Sequence, residues 1–136
     1  MPWTSHYVSD GVYTGFVGQT TGDEVLASVK EFFAHGYGGG APRFALYDFT
    51  GCTAFEVEAL HIQRIVFEDM RAAVTIKELA IAVVAPEAVQ YGLSRMWQTQ
   101  VEPAHWRTTI VTTIAGALRW LGDQGIDTDR LAVPQD

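Results

Sequence analysis

Apolar and polar positions along the chain change period several times, and each change marks an element. Trp3 to Val8 alternates enough for a short strand, Ser9-Asp10-Gly11 is a turn, and Val12 to Gly18 is a second strand, so a hairpin is expected. Thr21-Gly22-Asp23-Glu24 then matches a capping box, in which hydroxyl and carboxylate satisfy backbone N–H groups reciprocally. Val25, Leu26, Val29, Phe32 and Phe33 follow at helical spacing, with Gly36 as a stop and Gly38-Gly39-Gly40 as a loop. Arg43 to Phe49 reads as a third strand, ended by Thr50-Gly51-Cys52-Thr53, with a helix from about Phe55 to Ala72. The apolar residues of that helix, from Val57 to Met70, spread over a wide arc, which predicts cover on both sides.

Leu79 to Val84 is unbroken apolar sequence, the pattern of a central strand buried on both faces, and Pro86 ends it. A helix from about Glu87 to Val101 should carry Val89, Leu93, Met96, Trp97 and Val101 on its apolar face. Trp106 to Val111 is a strand, and Thr113 caps a last helix with Ile114, Ala117, Leu118 and Leu121 as its stripe. Asp127 to Asp136 reads as a frayed tail. The order β-β-α-β-α-β-α-β-α predicts an α/β fold: a mixed, mostly parallel sheet of about five strands with four helices, in right-handed βαβ units that place helices on both faces. No repeat, low-complexity segment or linker divides the chain, so one domain over residues 1–136 is expected, with its core at about 12–122.

Composition narrows the function classes. With 136 residues and 48% hydrophobic content, the chain can bury a core without a metal or disulfide staple, and its one cysteine, Cys52, cannot form an internal disulfide. A net charge of -7 argues against a nucleic-acid or anionic-membrane surface. No apolar run reaches a membrane span, and Met1-Pro2-Trp3-Thr4-Ser5-His6 lacks signal-peptide regions. The chain contains no Asn, and its seven Arg exceed its two Lys. Those biases suggest a GC-rich bacterial source and a cytoplasmic protein.

Motif chemistry is sparse. Gly36-Tyr37-Gly38-Gly39-Gly40-Ala41 fits G-x-G-x-x-A as text, but a helix precedes it and a strand follows, so a plain loop is expected. Glu58-x-x-His61 has metal-helix spacing without the second motif a metal pair needs, and a solvated helix face is the better reading. No nucleophile elbow or P-loop exists, and no catalytic residue, metal or cofactor is assigned. Asp48 stands out at the predicted carboxyl end of an inner strand, where open α/β sheets bind ligands. The plainer reading is a carboxylate that holds backbone N–H groups of the following loop or helix. Asp48, Thr50, Cys52 and Thr53 are the candidate ligand- or partner-binding residues, with Thr53 expected to cap the second helix. Aromatics are dense around Tyr91, Met96, Trp97 and Trp106; core packing is their default role, a surplus would favour a dimer face or an apolar pocket, and a homodimer with Met96, Trp97 or Trp106 at or near the contact is expected.

These elements together resemble the STAS domains, the fold of bacterial anti-sigma-factor antagonists, and the single-domain SpoIIAA-like proteins in particular. The resemblance is carried by Gly18 to Glu24, Phe44 to Phe49, Leu79 to Val84, Tyr91-Gly92-Leu93-Ser94-Arg95-Met96-Trp97 and Ala117 to Leu121. It spans roughly residues 12 to 122. It implies a mixed sheet with packed helices and a non-enzymatic module that binds a partner protein. It also implies a phosphorylation switch in an Asp-Ser-x-Gly-type motif, where this chain has Thr50-Gly51-Cys52-Thr53-Ala54-Phe55 and lacks that motif. The same broad fold resembles lipid-carrying domains of the Sec14 type, which makes a small apolar ligand or lipid the alternative.

Overall fold

The computed structural model describes residues 3–134. Strands β1 (Trp3–Val8) and β2 (Gly11–Thr21) form the expected hairpin, followed by α1 (Gly22–Ala34), β3 (Phe44–Glu56) and α2 (Ala59–Ala72). Then come β4 (Ala80–Val84), α3 (Ala88–Val101), β5 (Arg107–Val111) and α4 (Ile114–Asp123), with short 3-10 turns at Glu102–Ala104 and Thr128–Arg130. The sheet order is β1-β2-β3-β4-β5, with β1 antiparallel to β2 and every other pair parallel. The α/β fold with a mixed, mostly parallel sheet of five strands is therefore the one expected.

Because each crossover steps to the next strand in the same direction, crossovers of one hand stack their helices on one face. So α1, α2 and α3 cover one side with Val12, Phe16, Ala45, Tyr47, Phe49, Leu79, Ile81 and Val83. Helix α4 has no further strand to reach and turns back across the other side, onto Tyr13, Phe44, Leu46, Ala80, Ala82 and Val84. Strand β4 supplies both cores by strict alternation, and all five of its residues are buried. Ala80 and Ala82 are the small members of that alternation, and they let Ile114, Ala117 and Leu121 lie close to the sheet.

The capping box at Thr21 is present, with Glu24 N–H donating to the Thr21 hydroxyl at 3.2 Å and Thr21 N–H to the Glu24 carboxylate at 2.8 Å. Thr113 caps α4 through Gly116 N–H at 3.0 Å.

Several expectations are corrected. Strand β3 does not end at Phe49. It runs to Glu56 beside an equally prolonged β2, with two register irregularities on the way. Gly51 is not a break but a close approach, since a Cβ there would stand 2.8 Å from the Phe16 carbonyl oxygen. Helix α2 starts after Glu58, and it is covered on one side only: Ile62, Ile65 and Asp69 are buried, whereas Leu60 and Phe67 are 53% and 61% exposed. The buried face of α3 is Gln90, Ser94, Trp97 and Val101, with Leu93 half-buried and Val89 and Met96 exposed. Residues 127–134 are not a loose tail: Arg130 donates to Asp10 at 2.9 Å, and Leu131 and Val133 pack against the α4 core. The last residues of that segment, Gln135 and Asp136, and the opening Met1 and Pro2 lie outside the described residues. Among the described residues, no helix is long and apolar enough to cross a membrane.

Candidate functional site

The surface expected from Asp48, Thr50, Cys52 and Thr53 is not one surface. Asp48 sits within β3 rather than at its end, buried on the α4 side. Its Oδ2 accepts the Tyr13 hydroxyl at 2.6 Å and its Oδ1 accepts the Thr50 N–H at 2.9 Å. Both oxygens are thus occupied, and the plainer reading of Asp48 as a holder of local backbone is the one the geometry favours. Cys52 is half-buried on the three-helix side, 3.1 Å from the Thr20 hydroxyl, and burial pushes its thiol above the usual range. Thr50 and Thr53 are exposed. Thr53 caps no helix: it is the extra residue between the pairs Gly18–Cys52 and Gln19–Ala54, a β-bulge in the prolonged ribbon.

Three other expected features settle into structural roles. His61 Nδ1 accepts the Glu58 N–H at 2.9 Å, so the Glu58-x-x-His61 spacing is a helix cap. Trp97 and Trp106 are core residues rather than surface aromatics. The Trp97 indole N–H donates to Asp69 at 2.7 Å, and that of Trp106 to the Ile76 carbonyl at 2.9 Å. An indole buries well when its one donor finds a partner, which explains both. Of the expected interface residues, Met96 alone stays at the surface.

A different constellation lies beneath α2, where α1 and α3 flank it and the sheet forms the floor. There a cavity of about 60 Å³ is lined mainly by apolar side chains, among them Val25, Val29, Phe49, Ile65 and Val83. By volume it has room for a few water molecules or for the head of a small ligand. Of its lining residues only Phe55 and Leu93 are incompletely buried, which places its mouth between the end of β3 and the middle of α3.

Three polar side chains join this apolar wall: Tyr47 from β3, Asp69 from α2 and Ser94 from α3, all more than nine-tenths buried. Asp69 Oδ2 takes the Trp97 indole N–H, while Oδ1 accepts no hydrogen bond among the described residues. The hydroxyls of Tyr47 and Ser94 likewise have no hydrogen-bond partner among the described residues, yet none of these atoms is sealed from the cavity. Desolvation pushes the Asp69 carboxyl up to about 7, against the opposing pull of the Trp97 bond. Burial and the nearby Asp69 carboxylate push the Tyr47 hydroxyl far above its ordinary value.

Neither Asp69 nor Ser94 was singled out from the sequence. The signal was there in the spacing: Ile62, Ile65 and Asp69 share the i, i+3, i+7 face of α2. An acid at a core position of a helix is the informative exception to an apolar stripe.

Comparison with known proteins adds one observation. No family model and no curated protein matches the chain. A solved structure does: the crystal structure of an uncharacterized protein from the DUF3478 family with a SpoIIAA-like fold, from Shewanella loihica PV-4. The two superpose with a TM-score of 0.51 at 15% identity, over 88% of this chain and 91% of that one. The fold is SpoIIAA-like. At that identity the likeness speaks of architecture alone, and the SpoIIAA-like sheet with three helices on one side is what builds the pocket beneath α2.

Proposed function

We propose that the protein is a binding module rather than an enzyme. Its ligand is a small molecule, apolar along most of its length with one hydrogen-bonding end. One observation carries this reading: Tyr47, Asp69 and Ser94, each more than nine-tenths buried as residues, line one small apolar cavity and carry oxygens that have no hydrogen-bond partner among the described residues. These oxygens are not sealed off, so a polar ligand end that meets them takes the place of water there. The apolar wall then supplies affinity and the polar atoms supply orientation.

The test is backbone amide NMR of the protein titrated with small amphiphiles. Shifts should cluster at Phe55, Leu93, Ser94 and Trp97. Ser94→Phe, which fills the cavity, should abolish them in a protein that still gives a folded spectrum. Shifts scattered over the surface, unaffected by that variant, overturn the reading.

A second reading, a regulatory module that binds a partner protein, is favoured by the β2–β3 ribbon. There Thr50, Gly51, Thr53 and Ala54 stand exposed beside Val17. It operates without phosphorylation, because a phosphate on Thr53 would meet no helix N-terminus. A partner whose footprint excludes residues 50–54 removes this reading.

A further inference from the structure

Resting on the ligand pocket proposed above, we infer that the ligand end it recognises is a primary ammonium, held by Asp69 Oδ1 together with the Tyr47 and Ser94 hydroxyl oxygens. A primary ammonium carries three N–H donors and no acceptor. Three residues that line the cavity, from the three elements β3, α2 and α3, each carry an oxygen that has no hydrogen-bond partner among the described residues.

Charge points the same way. No Lys, Arg or His lines the cavity, and its one ionisable acid is Asp69. A carboxylate or phosphate ligand would find no cation there and would be repelled by Asp69. An ammonium instead offsets the cost of holding Asp69 ionised away from water. The walls add to this, since Tyr47, Phe49, Phe55 and Trp97 are among the lining residues, and aromatic faces attract cations. The remaining lining, from Val25 to Leu93, suits an aliphatic or aromatic tail.

The inference carries a pH signature. The groups acting on Asp69 are the Trp97 indole N–H from α3 and Glu68 from its own helix, and Tyr47 faces it from β3. In the free protein the Asp69 carboxyl titrates at about 7, so below that pH it must lose a proton before it can pair with an ammonium. An alkylamine, with a pKa near that of Lys at about 10.4, stays charged throughout. Amine affinity should therefore fall roughly tenfold from pH 8 to pH 6, while a neutral ligand's affinity stays level.

The experiment compares hexylamine, 1-hexanol and hexanoate by amide NMR and calorimetry at those two pH values. Hexylamine should bind more tightly than 1-hexanol at pH 8, by at least roughly tenfold, and hexanoate weakest of the three. Asp69→Asn, which keeps an acceptor for the Trp97 indole, should bring hexylamine down to the level of 1-hexanol and remove the pH dependence. Should that variant not fold, the ranking of the three probes on the unaltered protein decides, with Ser94→Ala as the second variant, expected to weaken hexylamine by a few-fold. If 1-hexanol equals or exceeds hexylamine in the pocket, the ammonium inference is overturned and the pocket reading stands. If none of the three shifts the pocket resonances at millimolar concentration, both fall.

Discussion

The sheet buries a carboxylate on each face, and the two are not alike. On the α4 side, Asp48 is enclosed with both oxygens satisfied, one by the Tyr13 hydroxyl and one by the Thr50 N–H. Small residues, Ala80 and Ala82, bring a single helix close to the strands there. On the other side three helices meet over the sheet, and the junction beneath α2 leaves a cavity. Asp69 stands at it with one oxygen bonded and one free. Burial alone therefore says little about function in this protein. What separates a structural acid from a candidate binding acid is the unused oxygen and the space in front of it.

The contrast can be broken in several ways. The largest effect is expected from Ile81→Ala, which opens a hole in the packed floor away from the cavity: a loss of ~2–5 kcal/mol in urea unfolding. A loss near that of a surface substitution would mean that the three-helix side is loosely packed throughout, not only beneath α2. Next comes Asp69. Its carboxyl is raised from 3.8 unfolded to about 7 folded, so the native state binds the extra proton between those values. The stability contribution is complete below the unfolded value and is lost as pH rises through about 7, a decline on the order of a few kcal/mol. Asp69→Asn should flatten that decline, and a profile with the same slope in the variant assigns it to other groups.

Growing β4 by one step on each side sharpens the same comparison at smaller scale. Ala82→Val enlarges a fully buried residue under α4 and should cost ~1–3 kcal/mol. Val83→Ile extends a cavity-lining residue and should cost less than that, or stabilise. Equal costs would mean that the cavity is no softer than the packed face.

How much of this was legible in the sequence depended on whether one signal acted alone. The Leu79–Val84 run, the Thr21 capping box and the Thr113 cap each state a local requirement that no tertiary contact opposes, and each is met. The pattern of α3 misleads because Gln90 and Ser94, polar by type, are the ones that turn inward. Gln90 can do so because its amide is used twice, accepting the Glu87 N–H and donating to the Phe49 carbonyl. Trp97 and Trp106 turn inward for a related reason: Asp69 and the Ile76 carbonyl, distant in sequence, accept their indole donors. Asp48 stands out by its place near a strand end, whereas Asp69 lies inside a helix, where its position on the Ile62–Ile65 stripe marks it as the odd member.

The smallest expected effect concerns a stretch of β3 in which only Cys52 packs against a helix layer. Thr50-Gly51-Cys52-Thr53 looks like a strand end followed by a cap, because Gly breaks strands and Thr caps helices. In the fold Gly51 lets β3 pass close to Phe16, and the β-branched Thr50 and Thr53 keep the extended backbone going to Glu56. A helix-capping threonine replaced by alanine loses about 1 kcal/mol. An exposed threonine at a bulge has no N–H to hold, and its side chain makes no hydrogen bond among the described residues. Thr53→Ala should therefore change the urea midpoint by no more than ~0.5 kcal/mol in equivalent stability. It should also leave ligand shifts at Ser94 and Trp97 untouched, since the bulge and the cavity share no residue. A loss of a full cap's worth would restore Thr53 as a helix start. A changed pocket spectrum would instead join the ribbon to the cavity and dissolve the division between the covered sheet and its uncovered extension.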